Sequence, residues 1–364
     1  MTNRILATYR VAVAAGGIEA RARSLAAEQS VEMPVEAIGD ARVLAEVVAT
    51  VESVRPTSSP DAFEVTLGLA ADTTGHEASQ LANMLFGNCS LQPEVQLHDV
   101  IFPPGYAGAF PGPAFGVAGL RKRVGATARP LTCTALKPQG STVAHLAHLA
   151  GTFARAGIDV VKDDHGLANQ SYSTFAARVP AVQAAIAAAN RETGGRTVYA
   201  PTFSGGPRAL AEQARIARDC GVGMALVAPM LVGLPVFVEM RREFGLALLA
   251  HPAFAGASRV APALLLGKLF RLFGADATIF PNHGGRFGYS RETCLGIAAA
   301  AREPWEDLAP IVPVPAGGMS VERVPEMIAD YGMDTMLLIG GGLLTAGDAL
   351  PERSREFVRR VRET

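Results

Sequence analysis

Eight times after residue 130 the chain repeats one short pattern. An apolar run rich in β-branched residues ends in small or polar residues, and an Ala-, Leu- and Arg-rich stretch with helical spacing follows. The runs are 131–138, 157–165, 197–205, 222–230, 245–253, 277–285, 310–318 and 334–342; stretches such as 141–156 and 172–192 lie between them. None of the runs alternates strictly between apolar and polar residues, as expected of strands buried on both faces. Eight βα units predict an α/β fold, a closed (β/α)₈ barrel at the C-terminal end of the chain. An open doubly wound sheet is the alternative, disfavoured by the count of eight and by the lack of an early GxGxxG turn.

The first 112 residues read differently. Residues 5–14 and 63–69 have the pattern of strands and 75–86 that of a helix, which predicts a small α+β domain of ferredoxin-like type over 1–112, ahead of a barrel over 113–364. The Pro-, Gly- and aromatic-rich stretch from Phe102 to Pro113 is the expected link. With 49% hydrophobic and 18% charged residues in 364, a large core can be buried. A net charge of −1 without a basic patch argues against a nucleic-acid partner. The four cysteines show no CxxC spacing, and residues 1–30 contain no apolar core of signal-peptide type. No run approaches the ~18 apolar residues of a membrane span. These features lead to the expectation of a cytoplasmic protein with reduced thiols and no membrane partner.

In such a barrel the site forms where the strands end. Strand 1 ends at Lys137, strand 2 at Lys162, Asp163, Asp164 and His165, and strand 5 at His251. Strand 6 ends at Asn282 and His283, with Arg286 close behind, and strands 7 and 8 end at Gly317-Gly318 and Gly340-Gly341-Gly342. Only four of the 33 basic residues are lysines, and two of those four, with three of the seven histidines, fall on this one rim. Glycine pairs after two adjacent strands favour a phosphate site, because backbone N–H groups can face an anion without interference from a Cβ. The Lys-Asp-Asp-His cluster has two functional readings. Lys162 and Asp164 share one strand face and with His165 could hold a divalent metal, for which a lysine carbamate is a good ligand and a neutral amine a poor one. Alternatively Lys162 is an amine base or Schiff-base lysine. A buried ion pair of Lys162 with Asp163 or Asp164 is the purely structural reading. His251 is either a hydrogen-bonded core residue or a catalytic or hydroxyl-binding one. His145 and His148, three apart on a predicted helix, read as surface or packing residues.

These residues resemble a known family, the large subunit of ribulose-bisphosphate carboxylase, and more closely its non-photosynthetic relatives, the RuBisCO-like proteins. The resemblance covers nearly the whole chain. Ala26-Ala27-Glu28-Gln29-Ser30 is similar to the family's N-terminal glutamate motif and Phe86-Gly87-Asn88 to the motif of its active-site asparagine. Gly112-Pro113, Gly116, Arg121 and Arg129-Pro130-Leu131 are similar to the start of its barrel domain. Thr134-Ala135-Leu136-Lys137-Pro138 resembles the strand-1 lysine motif, and the segment from Gly157 to Asp164 resembles the one whose lysine is carbamylated and binds magnesium. Ala316-Gly317-Gly318 and Gly340-Gly341-Gly342 resemble the phosphate turns.

The resemblance implies a divalent metal, magnesium in the family, on Lys162 (as a carbamate formed with carbon dioxide), Asp164 and His165. It implies catalytic roles for Lys137, Lys162 and His251. Substrate and phosphate contacts would come from Glu28, Asn88, Asn282, His283, Arg286, Gly317, Gly318, Gly340 and Gly341. It also implies a homodimer or higher oligomer with shared sites, Glu28 and Asn88 being given in trans. The departures limit the chemistry. His165 stands where the family has a metal glutamate and favours softer ions. Gln139 replaces a second lysine, Pro252 replaces an arginine that grips a second phosphate, Ala316 replaces a serine, and the mobile strand-6 lysine is missing. Carbon fixation on a bisphosphate is therefore not expected. The leading expectation is metal-assisted enolate chemistry on a sugar monophosphate, by a lyase that decarboxylates or transcarboxylates and hydrolyses a 3-oxo sugar acid phosphate of the 3-oxo-isoapionate 4-phosphate type. A 5-methylthioribulose-1-phosphate isomerase or related enolase is the second expectation, and a catalytically silent sugar-phosphate-binding barrel the third.

Overall fold

The structure is a computed structural model and describes residues 3–363. The chain forms two compact units, one of residues up to 110 together with 255–265, the other of residues 111–254 and 266–363. In the first, β1 (Arg4–Ala12), β2 (Thr50–Pro56), β3 (Ala62–Ala70) and β4 (Val95–Ile101) make an antiparallel sheet in the order β2-β3-β1-β4, with α1 (Ile18–Glu28) and α2 (Ala78–Phe86). Ile5, Ala7, Tyr9 and Val11 of β1 are buried and the residues between them are not, the period of a sheet with one covered face. β2 escaped the sequence pattern because it is a polar, partly exposed edge strand.

One excursion of the barrel sequence belongs with this unit. The Leu97 amide donates to Arg259 O (3.0 Å) and the Ala261 amide to Leu97 O (2.8 Å), while the Arg259 guanidinium donates to Val95 O and Gln92 O. Residues 255–265 thereby extend the edge of β4, so a single cut at residue 112 does not describe the division.

The second unit opens with α3 (Gly116–Val124). Eight parallel staves follow, each inside one of the eight runs: β5 (Leu131–Leu136), β6 (Val160–Asp163), β7 (Val198–Ala200) continued after Pro201 by β8 (Thr202–Phe203), β9 (Met224–Val227), β10 (Ala247–Ala250), β11 (Ala277–Pro281), β12 (Val312–Ala316) and β13 (Met336–Leu338). The outer helices are α4 (Val143–Arg155), α5 (Phe175–Thr193), α6 (Pro207–Asp219), α7 (Pro229–Val232), α8 (Leu234–Glu243), α9 (Phe270–Leu272), α10 (Arg291–Arg302), α11 (Val324–Tyr331), α12 (Gly341–Leu344) and α13 (Leu350–Glu363). The barrel strands are buried on both faces, which is why their sequences did not alternate.

Hydrogen bonding runs β13-β5-β6-β7 and β8-β9-β10-β11-β12. Both seams come from proline. Pro201 interrupts the third stave. In β12, the residues that bond β11 keep their amides (Val312 N–H donates to Asp276 O), while Pro313 and Pro315 face β13 without a donor. The contact there is carried by Thr335 Oγ1, which donates to Pro313 O at 2.9 Å. Alternate residues line the interior: Leu131 and Cys133, Val160, Ala200, Met224 and Leu226, Ala247 and Leu249, Ala277 and Ile279, Val312 and Val314, Met336 and Leu338, joined by Val117, Leu120 and Val124 of α3.

Candidate active site

The interior residues fix a parity for every strand, and the parity selects the site. In steps of two, Cys133 leads through Ala135 to Lys137, Val160 to Lys162 and Asp164, Leu249 to His251, and Leu338 to Gly340. All of them therefore point into the barrel at its C-terminal end. Lys162 is flanked in register by Ala135 and Ala200, whose small side chains leave room for a buried lysine.

Asp163 has the opposite parity and faces the helix layer. It meets Arg178 of α5 (Oδ2 to Nε 3.1 Å), both side chains fully buried, and it accepts from Tyr199 Oη at 2.7 Å and from the Thr202 amide at 3.1 Å. That amide is the one the break at Pro201 would have left unpaired. Burial raises the Asp163 carboxyl, and Arg178 and Tyr199 oppose the rise. Arg178 also donates to Ser173 O and Ala168 O, tying the loop that follows His165 to the same point. Sequence reasoning missed Arg178, although the signal was present: it shares the α5 face of Phe175, Val179 and Val182, which are all buried.

Inside the mouth, Asp164 Oδ1 accepts from Lys137 Nζ at 2.6 Å and lies 3.3 Å from His165 Nδ1. Burial alone would raise this carboxyl; the hydrogen bonds from His165 and Lys137 outweigh it and hold Asp164 well below the ordinary carboxylate range. Lys162 Nζ donates to Asp163 O at 3.0 Å. Burial pushes its amine down, and Asp164 pulls the other way. The His165 and His251 rings stack, with centroids 4.4 Å apart and planes 8° apart. The Ala253 amide donates to His251 Nδ1 at 3.1 Å, which leaves the ring proton on Nε2. Burial first, then the charges of Lys162 and His165, depress His251 to about 2, so its imidazole is neutral. Gln139 packs where a Cβ on Gly166 would sit, beside His165.

The glycine turns complete the rim. A Cβ on Gly340 would lie 3.8 Å from Lys137 Cε, so that turn adjoins the lysine. A Cβ on Gly342 would lie 2.6 Å from Met319 O, joining the turns after β12 and β13. Gly317 and Gly318 both have left-handed backbone (φ 86° and 87°), and a Cβ on Gly285 would lie 2.0 Å from Gly317 O. The Arg286 amide donates to Gly317 O at 3.3 Å. Only glycine permits this stacking of the β11 and β12 turns, and it brings Arg286 next to Gly317 and Gly318. The Arg286 guanidinium lies over the Phe287 ring (4.9 Å) and has no carboxylate partner among the described residues.

Asn282 and His283 are engaged with α11. Asn282 Oδ1 accepts from Tyr331 Oη while its Nδ2 is buried without a partner, and His283 Nε2 lies 2.7 Å from Asp330 Oδ2. In the first unit the structure joins Glu28 and Asn88 themselves: Asn88 Nδ2 donates to Glu28 Oε1 at 3.0 Å. His145 and His148 are exposed on α4.

The residues around Lys162 suit a divalent cation on two observations. Asp164 is held anionic with its carboxylate beside a histidine nitrogen, and the buried Lys162 lies between two alanines whose small side chains leave space beside its amine. The lysine carbamate, Asp164 and His165 would be its ligands.

The family model of the ribulose bisphosphate carboxylase large chain, catalytic domain, matches residues 116–285. The 5-methylthioribulose-1-phosphate isomerase of Rhodospirillum rubrum is 54% identical over 99% of this chain and 97% of that protein. Ribulose bisphosphate carboxylase-like protein 1 of Rhodopseudomonas palustris is 50% identical over 99% of this chain and 98% of its own. The crystal structure of a Rubisco-like protein from Rhodopseudomonas palustris superposes with a TM-score of 0.93 at 49% identity, covering 100% of this chain and 99% of that one. With this kinship along its whole length and the barrel-mouth residues in place, the chain belongs to the RuBisCO large-chain family, as one of its RuBisCO-like proteins.

Proposed function

We propose that this RuBisCO-like protein isomerises 5-methylthioribulose 1-phosphate by proton transfer through an enediolate and does not fix carbon. The observation that carries the reading is the placement of Lys137, Lys162, Asp164 and His251 on one inward face, with a glycine cradle directly against Lys137. The isomerase of Rhodospirillum rubrum supports the substrate. Pro252 in place of an arginine suits a substrate with one phosphate and an uncharged far end.

The amides of Gly317, Gly318, Gly340 and Gly341, with Arg286, hold the phosphate. The Lys162 side chain takes the proton from the carbon beside the ketone, the C–H electrons become the enediolate double bond as the carbonyl π pair moves to oxygen, and the same group returns the proton at the other carbon of the pair, so no co-reactant is consumed. Lys137 Nζ donates to the developing enediolate oxygen and His251 Nε2–H to a substrate hydroxyl. A divalent ion on the Lys162 carbamate, Asp164 and His165, when bound, would supply Lewis-acid polarisation of the ketone. Glu28 and Asn88 complete the site in a homodimer.

This reading reverses the order of the first two expectations from sequence, because the 54% relative bears the isomerase name. The two reactions are separated directly. In ²H₂O, the protein is incubated with 5-methylthioribulose 1-phosphate and followed by ³¹P and ¹H NMR. A new phosphate ester is the expected result. No new ester and no deuterium uptake would overturn the reading, and release of carbon dioxide from a 3-oxo sugar acid phosphate would put decarboxylation in its place.

A further inference from the structure

The turn that carries Arg286 contains Gly284 and Gly285 and has little conformational preference of its own, yet it must hold one shape for the Gly317–Gly318 cradle to exist. Its shape comes from α11. Consecutive α11 residues grip consecutive turn residues: Tyr331 Oη donates to Asn282 Oδ1, and Asp330 Oδ2 lies 2.7 Å from His283 Nε2. Just before α11, Arg323 Nη2 donates to His283 O at 3.1 Å, so residue 283 is held by its side chain and by its backbone. Gly284 sits over the same guanidinium, where a Cβ would come within 3.2 Å of Nη2. Asp330 is itself braced, its Oδ1 accepting from Arg291 Nε at 3.0 Å.

The ligand atoms of His283, Glu326 and Asp330 lie within 4.8 Å of one another, a spacing that also fits a cation. Their charge argues otherwise. Arg291 neutralises Asp330 and Arg323 neutralises Glu326 at 2.8 Å, so two carboxylates already face two guanidiniums. A divalent ion would have to displace both. The network is a closed clamp.

We propose that Asp330 is a positioning residue for phosphate: through His283 it fixes the Asn282–Phe287 turn, which in turn holds Gly317, Gly318 and Arg286 in the arrangement that receives the anion. The inference rests on the phosphate reading of the cradle given above. It makes α11, a helix of the outer layer, responsible for affinity at the barrel mouth, by lowering the ordering cost of binding.

The test uses the full chain and two probes, inorganic phosphate by calorimetry and 5-methylthioribulose 1-phosphate by steady-state kinetics. Asp330→Asn keeps the size and removes the charge. The expected result is a rise of about tenfold in the phosphate Kd and in KM, with kcat within about twofold. A merely structural role would lower Tm and the active fraction and leave the Kd of the folded protein unmoved. A phosphate Kd within about twofold of wild type in folded Asp330→Asn protein overturns the clamp. Should that variant fail to fold, Arg291→Met, which removes only the exposed brace, is expected to weaken phosphate about threefold, and no weakening counts against the proposal. Wild-type protein that binds phosphate but does not isomerise refutes the substrate and leaves the clamp to be judged on the phosphate arm. Wild-type protein that binds no phosphate refutes the cradle and the clamp together.

Discussion

Asp163 and Asp164 are neighbours with opposite duties, and replacing each in turn separates stability from activity. Asp163→Ala leaves the Arg178 guanidinium fully buried without its carboxylate, although Ser173 O and Ala168 O still accept from it. Breaking a buried ion pair from one side costs about 3–5 kcal/mol. The Tyr199 hydroxyl and the Thr202 amide lose their acceptor in the same step, which puts the loss near the upper end, about 5 kcal/mol. In a unit the size of this barrel each kcal/mol shifts Tm by roughly 2–4 °C, so melting followed by circular dichroism should fall by roughly 10–20 °C. Asp164→Asn touches a part-exposed Lys137 and an exposed His165 and should cost about 1 kcal/mol or less, while turnover drops by about a hundredfold or more. Asp163→Leu with Arg178→Met removes both charges and should regain most of the lost stability. A cost under about 1 kcal/mol for Asp163→Ala, or an Asp164→Asn protein that melts as early as Asp163→Ala, would refute the opposite facing of the two aspartates.

Two further outcomes follow from the geometry. A Cβ on Gly318 would lie 2.9 Å from the Arg286 amide nitrogen on a backbone with φ of 87°, so Gly318→Ala should store about 1–3 kcal/mol of strain and raise KM about tenfold with little change in kcat; an unchanged KM would argue against the cradle. If Glu28 acts in the partner's site, inactive Glu28→Ala chains mixed with inactive Lys162→Ala chains should recover up to about a quarter of wild-type activity, because half the dimers are mixed and each has one intact site; no recovery places Glu28 outside that site.

The barrel was readable because its signal is local. Each of the eight runs contains one stave, and the Lys-Asp-Asp-His segment and the glycine pairs stand at strand ends in the order the fold uses them. The period-two rule also divided Lys162 and Asp164 from Asp163 before any partner was visible. Which residues pair with them was not readable, even for Arg178, whose place on the apolar face of α5 was. Arg178 lies on the helix after Asp163, Tyr199 one stave further, and Asp330 nearly fifty residues beyond His283. Nothing in the composition of a strand end says which outer-layer side chain will reach it.

Local pattern was enough for the number of barrel strands, the rim on which the chemistry gathers and the residue types available there, since periodicity and turn chemistry depend only on near neighbours; it was not enough for the polar edge strand β2. The tertiary structure decided which aspartate is scaffold and which is site, that His165 stacks on His251, that His283 is bound to α11, and that residues 255–265 extend the sheet of the first unit. Those outcomes depend on which faces meet when the barrel closes, and closure joins residues that no local pattern connects.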